Sequence, residues 1–361
     1  MMSNIVFLKH RMHEYVKSQL EKAPKLHYLQ RVWRYRNDTN FVEQVMNLNH
    51  DPDTFKVKCF GEKNPDKNIY FIFLDRPMGL GGYLRCVFYG LIEAEIFGFI
   101  PVISFQSNKC PYSEASLVLG AKNPFEYYFE RVSNLSVEEV YESKRVVLFS
   151  EGHELRGEHD LGNINAKIAG GYNFSEDYLR SLARLQKQYI RLNQSTSEAI
   201  EIGKKTLCSF DWNTKNILGV HIRGTDYALN WKNHPNMVSA DDFITAIDNA
   251  LQEYHFDYIF LATDDANRLK SLQERYGDKL LYYKDVHRGT GNISVAEEKN
   301  DRPLNRYLNG LEVVRDMYTL ASCSGLVCGL SQVSFMARII RLSQGSPYEF
   351  LKVLDNGIYK G

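Results

Sequence analysis

The chain has 361 residues, 44% of them hydrophobic, and its 44 basic side chains balance 44 acidic ones. That length can bury one or two full cores, with two domains favoured, and a pI near 7.1 argues against bulk attraction to nucleic acid or anionic lipid. Six scattered cysteines without a CxxC pair read as free core thiols of a reducing compartment, not as a zinc site or disulfide framework. No apolar run approaches the ~18 residues of a membrane span, and the apolar stretch at the start is too short for a signal peptide. A soluble, cytoplasmic protein with no integral membrane segment is expected.

Residues 1–50 are polar and basic, with helices expected over Arg11–Lys22 and Leu26–Arg36 as a peripheral arm. From Asn68 the pattern becomes a buried strand, Ile69–Leu74, then a glycine-rich turn, Met78–Tyr83, a helix Leu84–Phe97 and a second strand Ile100–Phe105. Strand, turn, helix and strand make a βαβ unit. Arg145–Ser150 reads as another strand of the same sheet, and one long helix over Tyr178–Ile202 as the connection out of it.

The second half alternates more regularly. Strands are expected at Ile217–Ile222, Tyr258–Ala262, Lys279–Tyr283 and Gly325–Leu330, with helices at Asp242–Tyr254, Asn267–Tyr276, Leu304–Ala321 and Gln332–Leu342. Ser239 is placed to cap the first of these helices, with Asp242 three residues on as in a weak capping box. Four alternations with short strands argue for a doubly wound parallel sheet. The fold class is therefore α/β, with two Rossmann-like doubly wound domains facing a cleft, the GT-B architecture of glycosyltransferases. The boundary is expected between residues 205 and 206, giving an acceptor-side domain 1–205 and a nucleotide-sugar-binding domain 206–361.

The most informative segment is Asn216-Ile-Leu-Gly-Val-His-Ile-Arg-Gly-Thr-Asp226, an apolar strand that ends in His, Arg and Asp. Residues at the carboxyl end of a buried parallel strand stand in the ligand crevice, and period-2 alternation puts His221 and Arg223 on one side. Arg223 fits a bidentate contact to a phosphate or carboxylate, or a structural ion pair with Asp226. Ser331 reads equally as a plain helix cap and as part of an anion site, and the two roles are compatible because a capped helix start binds anions. Asp265 reads as a helix cap. The aromatic runs Tyr127-Tyr-Phe129 and Tyr282-Tyr283 read as packing before sugar stacking.

Taken together, His221-Ile-Arg-Gly-Thr-Asp226, Leu261-Ala-Thr-Asp-Asp265, and Asp316 followed by Leu326-Val-Cys-Gly-Leu-Ser-Gln332 resemble, in order and spacing, three motifs of the α1,6-fucosyltransferase and rhizobial nodulation fucosyltransferase group. The resemblance implies a GT-B inverting transferase that moves L-fucose from GDP-fucose to a hydroxyl of an oligosaccharide or glycan, with no metal and no cofactor. It also implies donor contacts from Gly81 and Gly82 in the glycine turn, His221 and Asp316 to guanine or ribose, and Arg223, Ser331 and Gln332 to the phosphates. Asp264 is implied as support for Arg223 or its loop. Two departures stand out: Arg223-Gly224 replaces the group's paired arginines, and residues 227–236 lack the Glu that serves the group as base, leaving Asp226 and His234 as local candidates. The alternatives are another nucleotide sugar on the same fold, or a non-catalytic protein that binds sugar nucleotides or glycans.

Overall fold

A computed structural model describes residue 33 and residues 57–360, except 75, 106–107, 109, 150–175, 226–233, 292–293, 296–297 and 299. The helices expected in the first 50 residues, Trp33 apart, and Asp226 lie outside the described residues. The first sheet contains β1 (Val57–Lys58), β2 (Ile69–Leu74), β3 (Ile100–Phe105) and β4 (Val146–Phe149) in the order β1-β4-β2-β3. Strand β2 runs parallel to β3 and β4, and β1 is antiparallel to β4. Every residue of β2 is buried, as expected where both faces of a parallel sheet are covered.

Helix α1 spans Leu80–Phe97 and so starts four residues earlier than the sequence pattern predicts. Two glycines lower helix propensity by about 1 kcal/mol each, which is why Gly81-Gly82 reads as a turn; burial of Leu80, Gly81 and Tyr83 offsets that cost. The helix ends at Gly98, whose left-handed backbone (φ 65°) lets Phe99 N–H reach back to Ala94 O, the chain reversal for which glycine is suited. A short helix α2 (Val137–Val140) carries a full capping box from Ser136 and Glu139.

The long connecting helix is two helices, α3 (Glu176–Tyr189) and α4 (Gln194–Leu207). Asn193 divides them. Its Oδ1 accepts the Thr196 N–H, and its Nδ2 donates to the carbonyls of Glu126 and Tyr127, so its side chain caps the second helix while fastening the break to the first sheet's loops.

The second sheet holds β5 (Ile217–Ile222), β6 (Tyr258–Thr263), β7 (Leu280–Leu281), β8 (Gly325–Gly329) and β9 (Phe350–Leu354). Its order is β7-β6-β5-β8-β9, with all neighbours parallel. In local numbering this is 3-2-1-4-5, the doubly wound order whose switch point falls between β5 and β8. The two strands at the switch point carry the His221 and Ser331 motifs. Strand β9 is missing from the expected elements although four of its five residues are apolar, because Lys352 interrupts the short run and the half-exposed edge strand lacks the unbroken apolar stretch of a central one; β7 is also shorter than predicted. Helices α5 (Ala240–Glu253), α6 (Ala266–Tyr276), α7 (Asn305–Ala321) and α8 (Gln332–Ser343) complete this half.

The halves share a core. Phe335, Met336, Ile339 and Ile340 of α8 and Val314 and Met317 of α7 join the buried cluster of α1, α3 and the first sheet. Tyr128 donates to Tyr307 O at 2.9 Å with its ring stacked on the Tyr307 ring, and both Tyr127 and Tyr128 are packing residues. Of the six cysteines, four are buried, whereas Cys59 is exposed and Cys208 partly so, which corrects the expectation of six core thiols. No described helix is long and apolar enough to cross a membrane.

Candidate active site

A cavity of about 350 Å³ is bounded on one side by Met78–Gly82, beyond β2, and on the other by the ends of β5, β6 and β8. Gly81, Gly82, His221, Arg223, His234, Asp264, Asp316, Ser331 and Gln332 all line it. The topology explains this convergence, since each motif sits at or just beyond the carboxyl end of a parallel strand, or on a helix packed beside one.

Two helix starts meet here. A Cβ added to Gly81 would lie 2.8 Å from Gln332 Cβ and 3.0 Å from its carbonyl carbon, so glycine is what allows α1 and α8 to approach at their first turns. The first N–H groups of a helix have no intrahelical partner and carry the positive end of its dipole. Tyr112 Oη accepts the Leu80 N–H at 2.9 Å, and Ser331 Oγ accepts the Ser334 N–H at 3.2 Å. Facing N-termini of this kind suit a diphosphate.

Asp264 organises the strand end opposite. Its Oδ2 lies 2.5 Å from Arg223 Nη1, and it accepts the Gly224 N–H and the Thr225 hydroxyl, each at 2.8 Å. The same carboxylate thus holds the guanidinium and the turn behind it. Thr225 needs that hold, because its φ of 37° is unfavourable for a β-branched residue. A side chain at Gly224 would run into the Asp265 carboxylate, so the single arginine is built into this turn. Asp265 Oδ1 caps α6 by accepting from Asn267 N and Arg268 N. With both carboxylates engaged, Asp264-Asp265 is occupied by structural bonds, and among the described residues no group of three or more His, Cys, Asp or Glu is placed to hold a metal.

His221 is buried, and its Nδ1 lies 3.2 Å from Ser331 Oγ. Burial, opposed by Asp264 and assisted by Arg223, lowers its pKa to about 4; the ring is neutral near pH 7. Asp316 shows the converse: burial raises its carboxyl to about 7 although Arg288 and Arg315 favour the charged form. A carboxyl so poised gains from a ligand that donates hydrogen bonds to it.

Asn309, Glu312, Val313 and Asp316 form one face of α7, at i, i+3, i+4 and i+7, and all four line the cavity. That spacing is visible in the sequence, but only Asp316 stands out there. His287 also lines the cavity. Its Nε2 is 2.8 Å from Glu298 Oε2, and its backbone N–H points to Glu312 Oε2 at 3.4 Å. Both residues lie in coil between β7 and α7, where periodicity offers no signal. His234 is exposed at the rim, its carbonyl accepting the Tyr359 N–H at 2.9 Å.

A doubly wound sheet whose switch point opens onto a cavity, facing a second α/β sheet, is the layout expected of a GT-B fold, with the cavity where such sheets bind ligands. Residues 181–359 match the sequence model described as α-(1,6)-fucosyltransferase N- and catalytic domains. The match covers a little under half of the chain, which over this part is similar to the α1,6-fucosyltransferase group. Among solved structures, fucosyltransferase NodZ from Bradyrhizobium is similar at 18% identity over 76% of this chain and 93% of its own, with a TM-score of 0.44. POFUT1 in complex with GDP-fucose aligns at 11% identity over 82% of this chain and 99% of its own, with a TM-score of 0.48. No curated protein matches the chain.

Proposed function

We propose that this protein is a fucosyltransferase that uses GDP-fucose as donor and transfers L-fucose to a hydroxyl of an oligosaccharide or glycan, with inversion, without metal, and in the cytoplasm. The observation that carries the reading is the meeting of two helix N-termini with Arg223 in a single cavity. The acceptor oxygen attacks the anomeric carbon from the face opposite the diphosphate. The bond to the β-phosphate oxygen breaks, its electron pair stays on GDP, and the acceptor proton passes to a base. Arg223 and the N–H groups at the starts of α1 and α8 stabilise the charge that grows on the leaving group. His221 and Asp316 hold the guanine or ribose, Asp316 as a carboxylate that accepts from the base.

The donor can be tested by thermal shift. GDP and GDP-fucose are expected to raise the melting temperature, as binding to the folded state requires, and UDP and CMP to raise it much less. Equal shifts with UDP would defeat the choice of donor.

Three groups are candidates for the proton. Asp226 ends the first motif and His234 follows it in sequence, and His287 is backed by Glu298. We favour His287, because a carboxylate that fixes the orientation of an imidazole is the arrangement that makes it an effective base. His287→Gln is then expected to keep GDP-fucose affinity and to slow transfer by ~10²–10⁴-fold, while Asp226→Asn and His234→Ala change it far less. The opposite ranking, read as GDP released per enzyme, moves the base to the segment at 226–234.

A further inference from the structure

We infer that Asn309 is a donor-binding residue whose side-chain amide donates a hydrogen bond to an oxygen of the fucosyl group or of the diphosphate; this rests on the reading of the cavity as a nucleotide-sugar site. Asn309 is 5% exposed, and its Nδ2 is a buried donor with no partner among the described residues. The amide cannot be turned around to remove the problem. Its Oδ1 accepts from Arg302 Nη2 at 2.9 Å, and a guanidinium has no acceptor to offer an NH2 group.

Arg302 is itself fixed from several directions. It pairs with Glu312 Oε1 at 2.5 Å and donates to Asn305 Oδ1 at 3.2 Å, while its backbone N–H is held by Asn300 Oδ1 at 2.9 Å. A charged network behind the amide thus keeps an unsatisfied donor in the wall of the cavity. Buried polar groups of native proteins are nearly always satisfied, and a ligand oxygen would satisfy this one.

The position of Asn309 indicates which part of the ligand supplies the oxygen. Its neighbour Gly310 lies close enough to Tyr112 that an added Cβ would be 3.0 Å from Cδ1 of that ring, and Tyr112 Oη takes the first N–H of α1. Asn309 therefore sits beside the α1 N-terminus, the anion end of the cavity. Asp316 is two turns along α7, about 10 Å away, at the end assigned to the nucleoside. Sugar hydroxyls and phosphate oxygens are the acceptors within reach of the first position.

The test combines apo melting temperatures with calorimetric affinities for GDP and GDP-fucose in wild type, Asn309→Ala and Asn309→Ser. Asn309→Ala removes the unsatisfied donor but also the Oδ1 that accepts from Arg302, so a modestly lower apo melting temperature is expected, together with a roughly tenfold loss of GDP-fucose affinity, the worth of one hydrogen bond. The Ser hydroxyl should recover part of that loss. A loss confined to GDP-fucose places the oxygen on the sugar, and an equal loss for GDP places it on the diphosphate. Wild-type affinity in both variants, or a lowered apo melting temperature with affinity intact, would overturn the inference and leave Asn309 a structural residue. Failure of wild type to bind either ligand would instead overturn the nucleotide-sugar reading beneath it.

Discussion

Replacing Arg223 by Ala is expected to lower turnover of GDP-fucose by roughly 10²–10³-fold, the usual effect of deleting one preorganised group that meets charge developing in the transition state. Lys should do almost as badly. An ammonium on a flexible stem cannot reproduce a planar fork, and Asp264 would hold it in a different place. The fold should tolerate either change, since Asp264 keeps its bonds from Gly224 N and Thr225 Oγ1 and Arg223 is 28% exposed at the cavity edge. Steady-state rates and melting curves on the same preparations check both halves of the statement. Near-normal turnover in Arg223→Ala would reduce the guanidinium to a structural partner of Asp264.

The second large effect is expected at Asp264. Asp264→Asn preserves shape and one acceptor oxygen but offers an NH2 group where both Arg223 and the Thr225 hydroxyl now donate; the hydroxyl can turn to accept, but the guanidinium would face a donor. Leaving such a group unpaired costs about 1–3 kcal/mol, and the turn at Thr225, with its φ of 37°, would lose the carboxylate that holds it. A lower melting temperature is therefore expected together with a loss of turnover comparable to that of Arg223→Ala, because the guanidinium loses its anchor. The effects of the two substitutions should also fall well short of additive, as they do for residues that share one interaction. Additive losses in the double variant would mean that Asp264 acts independently of Arg223.

Local pattern accounts for much of what the chain reveals before it is folded. Strands β2 and β5 are legible because both faces of a parallel sheet are buried, leaving unbroken apolar runs at Ile69–Leu74 and Ile217–Ile222. Helices α5 and α6 are legible because Ser239 and Asp265 cap them with their own side chains. Where neighbours distant in sequence decide the local conformation, the pattern misleads. Gly81-Gly82 is helical because burial outweighs propensity, and the helix expected over Tyr178–Ile202 breaks because Asn193 bonds to Glu126 and Tyr127, more than sixty residues earlier.

The candidate site divides in the same way. The order and spacing of the three motifs, through their resemblance to a known family, single out His221, Arg223, Asp264, Asp316, Ser331 and Gln332; all but Asp316, which lies on α7, stand at strand ends, where apolar runs stop in polar residues and ligand chemistry in a parallel sheet collects. Which groups face them across the cavity is a tertiary matter. Tyr112, His287 with Glu298, and Asn309 with Arg302 come from loops and a helix face that carry no periodic signal of their own. The partner of Arg223 was likewise decided by folding, since β6 runs parallel beside β5 and delivers Asp264 to the strand-end turn from 41 residues away in sequence. The sequence by itself therefore determined the strands, the capped helices and the cavity-lining motifs, all of which depend on near neighbours. Only the tertiary structure decided how charge is paired and which polar atoms are left unsatisfied in the cavity wall, because those outcomes depend on the groups that packing brings together.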